Sequence, residues 1–171
     1  MIELEVTGLP APQGNKSAFV VPGTNRAVVV EGKGPGRLAV QAWRTAVAET
    51  CRAHLEDHPG PPMIGPIAMT IRFRFPPVAS DKYRFWHTTK PDLDKLVRST
   101  FDALKLGAVI GDDSSICKLT TVKRYVNDSE TAGASISIES LAAEESEVRE
   151  TRKQRAAMAR RPKVLQTESL L

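Results

Sequence analysis

The chain has 171 residues, long enough for one domain with a real core. Its 41 % hydrophobic and 26 % charged residues are those of a soluble globular protein, and no apolar run approaches the roughly 18 residues a membrane span needs, so a membrane partner is excluded. The opening "MIELEVTGLPAPQG" has no basic region followed by an apolar core, hence no secretory signal, and 24 Lys+Arg against 20 Asp+Glu, net +4, lean mildly toward polyanionic partners.

In chain order, "MIELEVTG" reads as a strand, with Ile2, Leu4 and Val6 alternating with Glu3, Glu5 and Thr7. "LPAPQGNKS" breaks regular structure, and "AFVV" and "AVVVEG" flank a "PGTNR" turn, predicting a β-hairpin. A flexible basic loop, "GKGPGR", leads to a helix from Leu38 to about Asp57. Its stripe is Val40, Trp43, Val47, Cys51 and Leu55. "IAMTIRFRF" is the clearest strand: Ile67, Met69, Ile71, Phe73 and Phe75 share one side, and Ala68, Thr70, Arg72 and Arg74 the other.

"PPVASDKYRFWHTTK" is a basic, aromatic connection. A second helix begins near Pro91 or Asp92, since proline suits the first helical position and acids suit the N-terminal dipole. Leu93, Leu96, Val97, Phe101 and Leu104 form its buried side, and it stops before Gly107. "ICKLTTVKRYV" and "GASISIES" read as two more strands, paired across "NDSETA". The two cysteines, Cys51 and Cys117, fall in a helix and a strand and read as small buried hydrophobes, which suits a reducing cytoplasm. The fold expected is α+β: one compact domain over residues 1–140, with a mixed, mostly antiparallel sheet and two main helices. The segment 141–171, acidic first and basic after, is a charged tail, helical or disordered.

The chemistry concentrates in "KPDLDKLVRSTFDALKLGAVIGDDSSI", residues 90–116. Asp92 and Asp94 would point roughly 200° apart on a regular helix. Lys90 precedes a proline and is biased toward extended backbone. The pair therefore straddles a coil-to-helix junction, where both can aim at one point. Asp112 and Asp113 follow the helix and its Gly107–Gly111 turn, and a returning strand is expected to bring them back beside Asp92 and Asp94. Converging carboxylates form a hard oxygen site suited to Mg²⁺, with Mn²⁺ as a substitute, and Lys90, Lys95 and Arg98 stand by for phosphate. The same residues also suit plainer roles. Acids cap helices, paired aspartates make turns, and Asp94, Arg98 and Asp102 have the i,i+4 spacing of a surface ion-pair ladder. An EF-hand is excluded, because Val97 stands where its loop needs glycine and Ala103 where it needs glutamate.

"KPDLDKLVRSTFDAL" followed by "GDDSSICKLTTVKRY" resembles the RusA family of crossover junction endodeoxyribonucleases, the Holliday junction resolvases of phages and prophages. "GLPAPQGNKS" and "AWRTAVAE" are similar to its N-terminal segments, so the resemblance covers roughly residues 1–140. It implies metal ligation by Asp92, Asp94 and Asp113, with Asp112 in support. It implies a homodimer, whose two-fold axis suits two symmetric nicks in a four-way DNA junction. Arg98 stands where the family usually has a catalytic lysine, and Lys95 where it often has asparagine. An arginine cannot donate a proton near neutral pH, so Arg98 is expected to clamp phosphate.

Lys16, Arg26, Lys33 and Arg37 in the N-terminal loops, with Lys82, Arg84, Lys90 and Lys95, are candidate DNA contacts or ordinary solubility charge. Phe85 and Trp86 suit core or dimer packing better than a wedge into an opened junction. His87 reads as a solvated loop residue. A rival to the nuclease reading is a catalytically silent protein that binds junction or duplex DNA.

Overall fold

The structure is a computed structural model that describes residues 1–14, 16–31 and 35–159. Contacts divide the chain into two units, Met1–Ser140 and Leu141–Leu171. The first carries β1 (Ile2–Thr7), β2 (Lys16–Val20), β3 (Ala27–Glu31), α1 (Pro35–Asp57), β4 (Ile67–Phe75), α2 (Leu93–Leu106), a single 3₁₀ turn (Asp113–Ser115), β5 (Ile116–Tyr125) and β6 (Gly133–Ser140). The second contains α3 (Ala142–Ala159), exposed over residues 142–155 and tied along its own surface by an Arg149–Glu145 pair at 3.0 Å. No described helix is long and apolar enough to cross a membrane.

The main sheet has the order β1-β6-β4-β5, antiparallel except for the parallel β4–β5 pair. The α+β class is therefore as expected, with β2 and β3 forming the separate hairpin. The expected pairing of the last two strands is corrected. β4 lies between β5 and β6 and bonds to both, so "NDSETA" joins strands that are not neighbours. β4 is the most apolar strand of this sheet and has a neighbour on both edges; its Ile67, Met69, Ile71 and Phe73 are all but fully buried.

Helices α1 and α2 pack on each other and share one core with this sheet. The α1 stripe buries Val40, Trp43, Val47 and Cys51, and α2 contributes Leu96, Val97, Ala103 and Leu104. Where the helices cross, the one polar atom of the Trp43 ring is satisfied: its Nε1 donates to Thr100 Oγ1 at 3.1 Å, and that hydroxyl donates to Leu96 O at 2.9 Å. Cys51 is buried and its thiol pushed up to about 12, first by burial, so it stays an inert core thiol. Cys117 departs from the expectation and is exposed.

Gly107 ends α2 directly against α1. A Cβ there would overlap Cys51 Cβ and lie 3.3 Å from Ala48 Cα, so the helices could meet only by moving apart. Gly107→Ala is expected to lower stability by about 1–3 kcal/mol, the usual cost of overpacking a core. Gly60→Ala, where a Cβ meets open space, serves as the control and should leave the unfolding midpoint almost unchanged. Equal midpoints for the two variants would show that the helices do not approach this closely.

Candidate active site

The approach to α2 is fixed from the sheet. Lys123 on β5 donates to Thr89 O and to Pro91 O, both at 2.6 Å, which anchors the segment immediately before Asp92. The Lys90–Pro91 peptide is cis. Burial holds the Lys123 ammonium below its ordinary pKa, and the charges of Asp92 and Asp81 oppose that. Helix α2 then starts at Leu93 with extended Asp92 as its cap residue, one or two positions later than expected. The Asp92 carboxylate makes no capping bond. Its Oδ2 instead lies 3.1 Å from Lys95 Nζ, and that bond is the main reason its pKa is lowered.

Asp94 and Arg98 are both exposed on α2. The Asp94–Arg98–Asp102 ladder does not form, because Asp102 pairs with Arg44 of α1 at 2.5 Å. Neither Asp94 nor Arg98 has an ion-pair partner among the described residues, which leaves the Arg98 fork open to an incoming anion.

At the other end of α2, Lys105 holds both members of the second pair, with Nζ 3.1 Å from Asp112 Oδ2 and 3.1 Å from Asp113 Oδ1. Asp112 also caps the 3₁₀ turn by accepting from Ser114 N at 2.9 Å. Its bonds to Ser114, then to Lys105, hold it well below the usual carboxylate range, while Asp112 and then Asp113 raise Lys105.

The two carboxylate groups do not meet in one chain, which corrects the expected convergence. Helix α2 has 14 residues and is about 21 Å long. Lys95 lies in its first turn and Lys105 in its last, so the acids they hold are separated by on the order of 15 Å. The sheet gives the same answer. Lys123 marks one end of β5 and Asp113 precedes the other, roughly 20 Å apart at about 3.3 Å per residue. Metal ligands must all lie about 2.0–2.6 Å from one ion. Among the described residues no three His, Cys, Asp or Glu side chains are grouped to hold one. The donor atoms are the hard oxygens that Mg²⁺ takes, but those of a single chain do not fit it as a complete set.

Of the other cations named from sequence, Arg26 is exposed in the β2–β3 turn, Arg37 is exposed on α1, and Lys82, Arg84 and Lys90 are exposed in the segment before α2. The Lys82 ammonium lies 4.9 Å from the Tyr83 ring centre. Lys16 falls on β2, and Lys33 lies outside the described residues. Phe85 and Trp86 are not core residues. They are half exposed, edge to face with ring centres 4.7 Å apart, and the Arg124 guanidinium lies over Phe85.

Sequence reasoning missed two polar groups beneath this segment. Asp81 is buried and accepts from Tyr125 OH at 2.5 Å, from Tyr83 N and from Thr88 N and Oγ1. The Tyr125 bond is the main reason its pKa is depressed. His87, expected in solvent, is only 4 % exposed, with ring centres 4.4 Å from Phe75 and 5.0 Å from Tyr125. Its Nδ1 is buried without a hydrogen-bond partner. In the sequence, Arg84 and Lys90 bracket "FWHTT" and give the segment a polar look that hid the burial of His87.

Asp92, Asp112 and Asp113 at the two ends of α2 are paired to lysines, and the exposed Arg98 has no ion-pair partner among the described residues, an arrangement suited to meeting a polyanion. The model of the family described as Endodeoxyribonuclease RusA matches residues 12–139, and the chain belongs to this family of nucleases. No curated protein matches the chain.

The buried histidine makes a pH prediction. Burial first, and the charge of Lys123 second, hold His87 below its ordinary pKa of about 6.5. The unfolded chain therefore takes up this proton at a higher pH than the folded one, and stability falls as pH drops through about 6.5 toward the lower folded value. The melting temperature of the protein should fall more between about pH 7 and pH 5 than that of His87→Phe, which has no such proton to take. Parallel curves would show that the ring charges without cost where it lies.

Proposed function

We propose that the protein is a Mg²⁺-dependent, structure-selective DNA endonuclease that resolves four-way junctions by paired symmetric nicks and acts as a homodimer. The observation that carries this reading is the placement of exposed carboxylates at both ends of α2, each group already holding an ammonium ion, in a chain of the RusA endodeoxyribonuclease family. A site that attracts a lysine nitrogen attracts other cations. Family membership supports work in DNA recombination and repair, in the cytoplasm and for a phage or prophage. The fold of residues 1–140 would carry the activity, and the segment 141–171 would be an accessory to it.

Because one chain splits its acids, the homodimer has a specific part in the proposal. Asp92 and Asp94 of one chain would meet Asp112 and Asp113 of its partner across the two-fold axis, completing a hard-oxygen set at each of two sites. Bound there, Mg²⁺ would supply Lewis-acid polarisation of a phosphoryl oxygen. The chain's own cations do the rest. Arg98 lies one helical turn beyond Asp94, and its open fork matches two phosphate oxygens. Lys90 and Lys95 draw the backbone toward the start of α2 through charge that carries no sequence information.

Two substitutions test this on a synthetic four-way junction. Asp92→Asn should abolish nicking in Mg²⁺ and leave junction binding intact or tighter, since a negative charge is removed from a phosphate-facing surface. Arg98→Ala should slow single-turnover nicking by about 10²–10³ with little loss of affinity, as when other donors to transition-state charge are removed, and Arg98→Lys should recover part of the rate. Wild-type nicking by Asp92→Asn would contradict the site. Normal rates for Arg98→Ala would move the search for the cation to Lys95 or Lys90.

A further inference from the structure

Beside the start of α2 lies a cavity of about 590 Å³, within the roughly 300–1,000 Å³ typical of ligand sites. Its walls are mostly apolar. Pro10 and Pro12 line one part, Phe75 and Val78 another, and the His87 ring contributes a polar aromatic surface. Lys90, Asp92 and Lys95 line the cavity as well. The lining is held before any ligand arrives. Gln13 N donates to Lys95 O at 3.0 Å, tying the proline segment to α2, and Lys123 holds the opposite approach through Thr89 and Pro91. The prolines remove backbone freedom from this wall.

A ligand for this cavity needs flat apolar faces, an edge that forms hydrogen bonds, and a negative charge placed toward the two lysines. Asp92 would oppose that charge, but Lys95 at 3.1 Å offsets it and Lys90 adds to the attraction. A nucleotide meets all three needs. We propose that the cavity receives one unstacked nucleobase of the DNA strand, the base next to the phosphate held at Lys90 and Lys95. This rests on the nuclease reading of the same site. Drawing a base out of an intact duplex costs unpairing and unstacking, and the cost is least where the base is already unpaired. Such a pocket therefore favours branched DNA, where strands exchange partners, over plain duplex. It would supply part of the structure selectivity without reading sequence along a groove.

The test fills the pocket and empties the DNA in turn. Val78→Trp and Ala39→Phe place bulk into the cavity from two walls, and both positions are at least partly exposed, so the fold should survive and melting curves would confirm it. Abasic sites are placed one at a time beside the mapped nick, and junction affinity is measured without divalent metal. Wild-type protein should bind one abasic junction at least about fivefold more weakly than the intact junction, a loss within the range of one stacked base. The filled variants should bind the intact junction as weakly as wild type binds the abasic one, and should be indifferent to the missing base. The same abasic penalty in wild type and filled variants, or none in either, overturns the pocket assignment while nicking by wild type keeps the nuclease reading. A changed oligomeric state in the filled variants, with unchanged dependence on the base, overturns it in favour of a second copy as the occupant. Wild-type protein that nicks no DNA overturns both.

Discussion

Two parallel neighbouring strands cannot be joined by a tight turn, and this constraint places the four candidate acids at the ends of α2. From the end of β4 the chain must travel back the length of the sheet before β5 can begin alongside it. It does so through α2, which runs the length of the sheet in the opposite direction. Whatever precedes α2 lies at one end of the parallel pair, and whatever follows it lies at the other. Asp92 and Asp94 fall before and at the start, while Asp112 and Asp113 fall after it. The separation of the acids is thus a consequence of strand order, and no rotamer change within one chain can undo it. Under the proposed reading, the acids at the two ends of this helix are halves of one oxygen site, and pairing of chains would complete it.

The lysines at these ends differ in kind. Lys95 and Lys105 are partly exposed, and exposed ion pairs of this sort are worth only about 0–1 kcal/mol, so a phosphate or a stronger cation can displace them at small cost. Lys123 is more buried and spends its ammonium on two backbone carbonyls. Hydrogen bonds to a charged group contribute about 1.5–3 kcal/mol each when well made, which is enough to fix a loop. The domain therefore pairs exchangeable cations at its acids with a fixed cation beside the segment that leads to Asp92. The buried Asp81–Tyr125–Thr88 group does similar work for the segment that carries Lys82 to Lys90, and the unpartnered His87 lies at the cavity beside it.

Much of this was legible in the sequence, and the limits have physical causes. The alternation of β4, the α1 stripe and the α2 stripe are local patterns of period 2 and 3.6, and they put the right residues in the core. Strand order is not local. The run "VKRYVNDSETAGAS" has all the marks of a hairpin, yet β4, the more apolar strand, displaces that pairing from between β5 and β6. The spacing of Asp94, Arg98 and Asp102 is right for a ladder, but Arg44 competes from α1, more than fifty positions away. His87 gave no signal, because its burial depends on Phe75 and Tyr125 on two other strands. From sequence, Asp92, Asp94, Asp112 and Asp113 are expected at one point; their distance from one another depends on the direction of α2, which composition does not encode.

Subunit mixing tests the central claim most directly. Asp92→Asn and Asp113→Asn chains, each inactive alone, are combined so that mixed dimers form, and nicking of a four-way junction is measured. If each site takes its acids from two chains, a mixed dimer has one site with both changes and one with neither, and single nicks should return. If the acids of one site belong to one chain, every site in the mixed dimer carries one change. Mixed dimers shown to form yet unable to nick would then contradict the account.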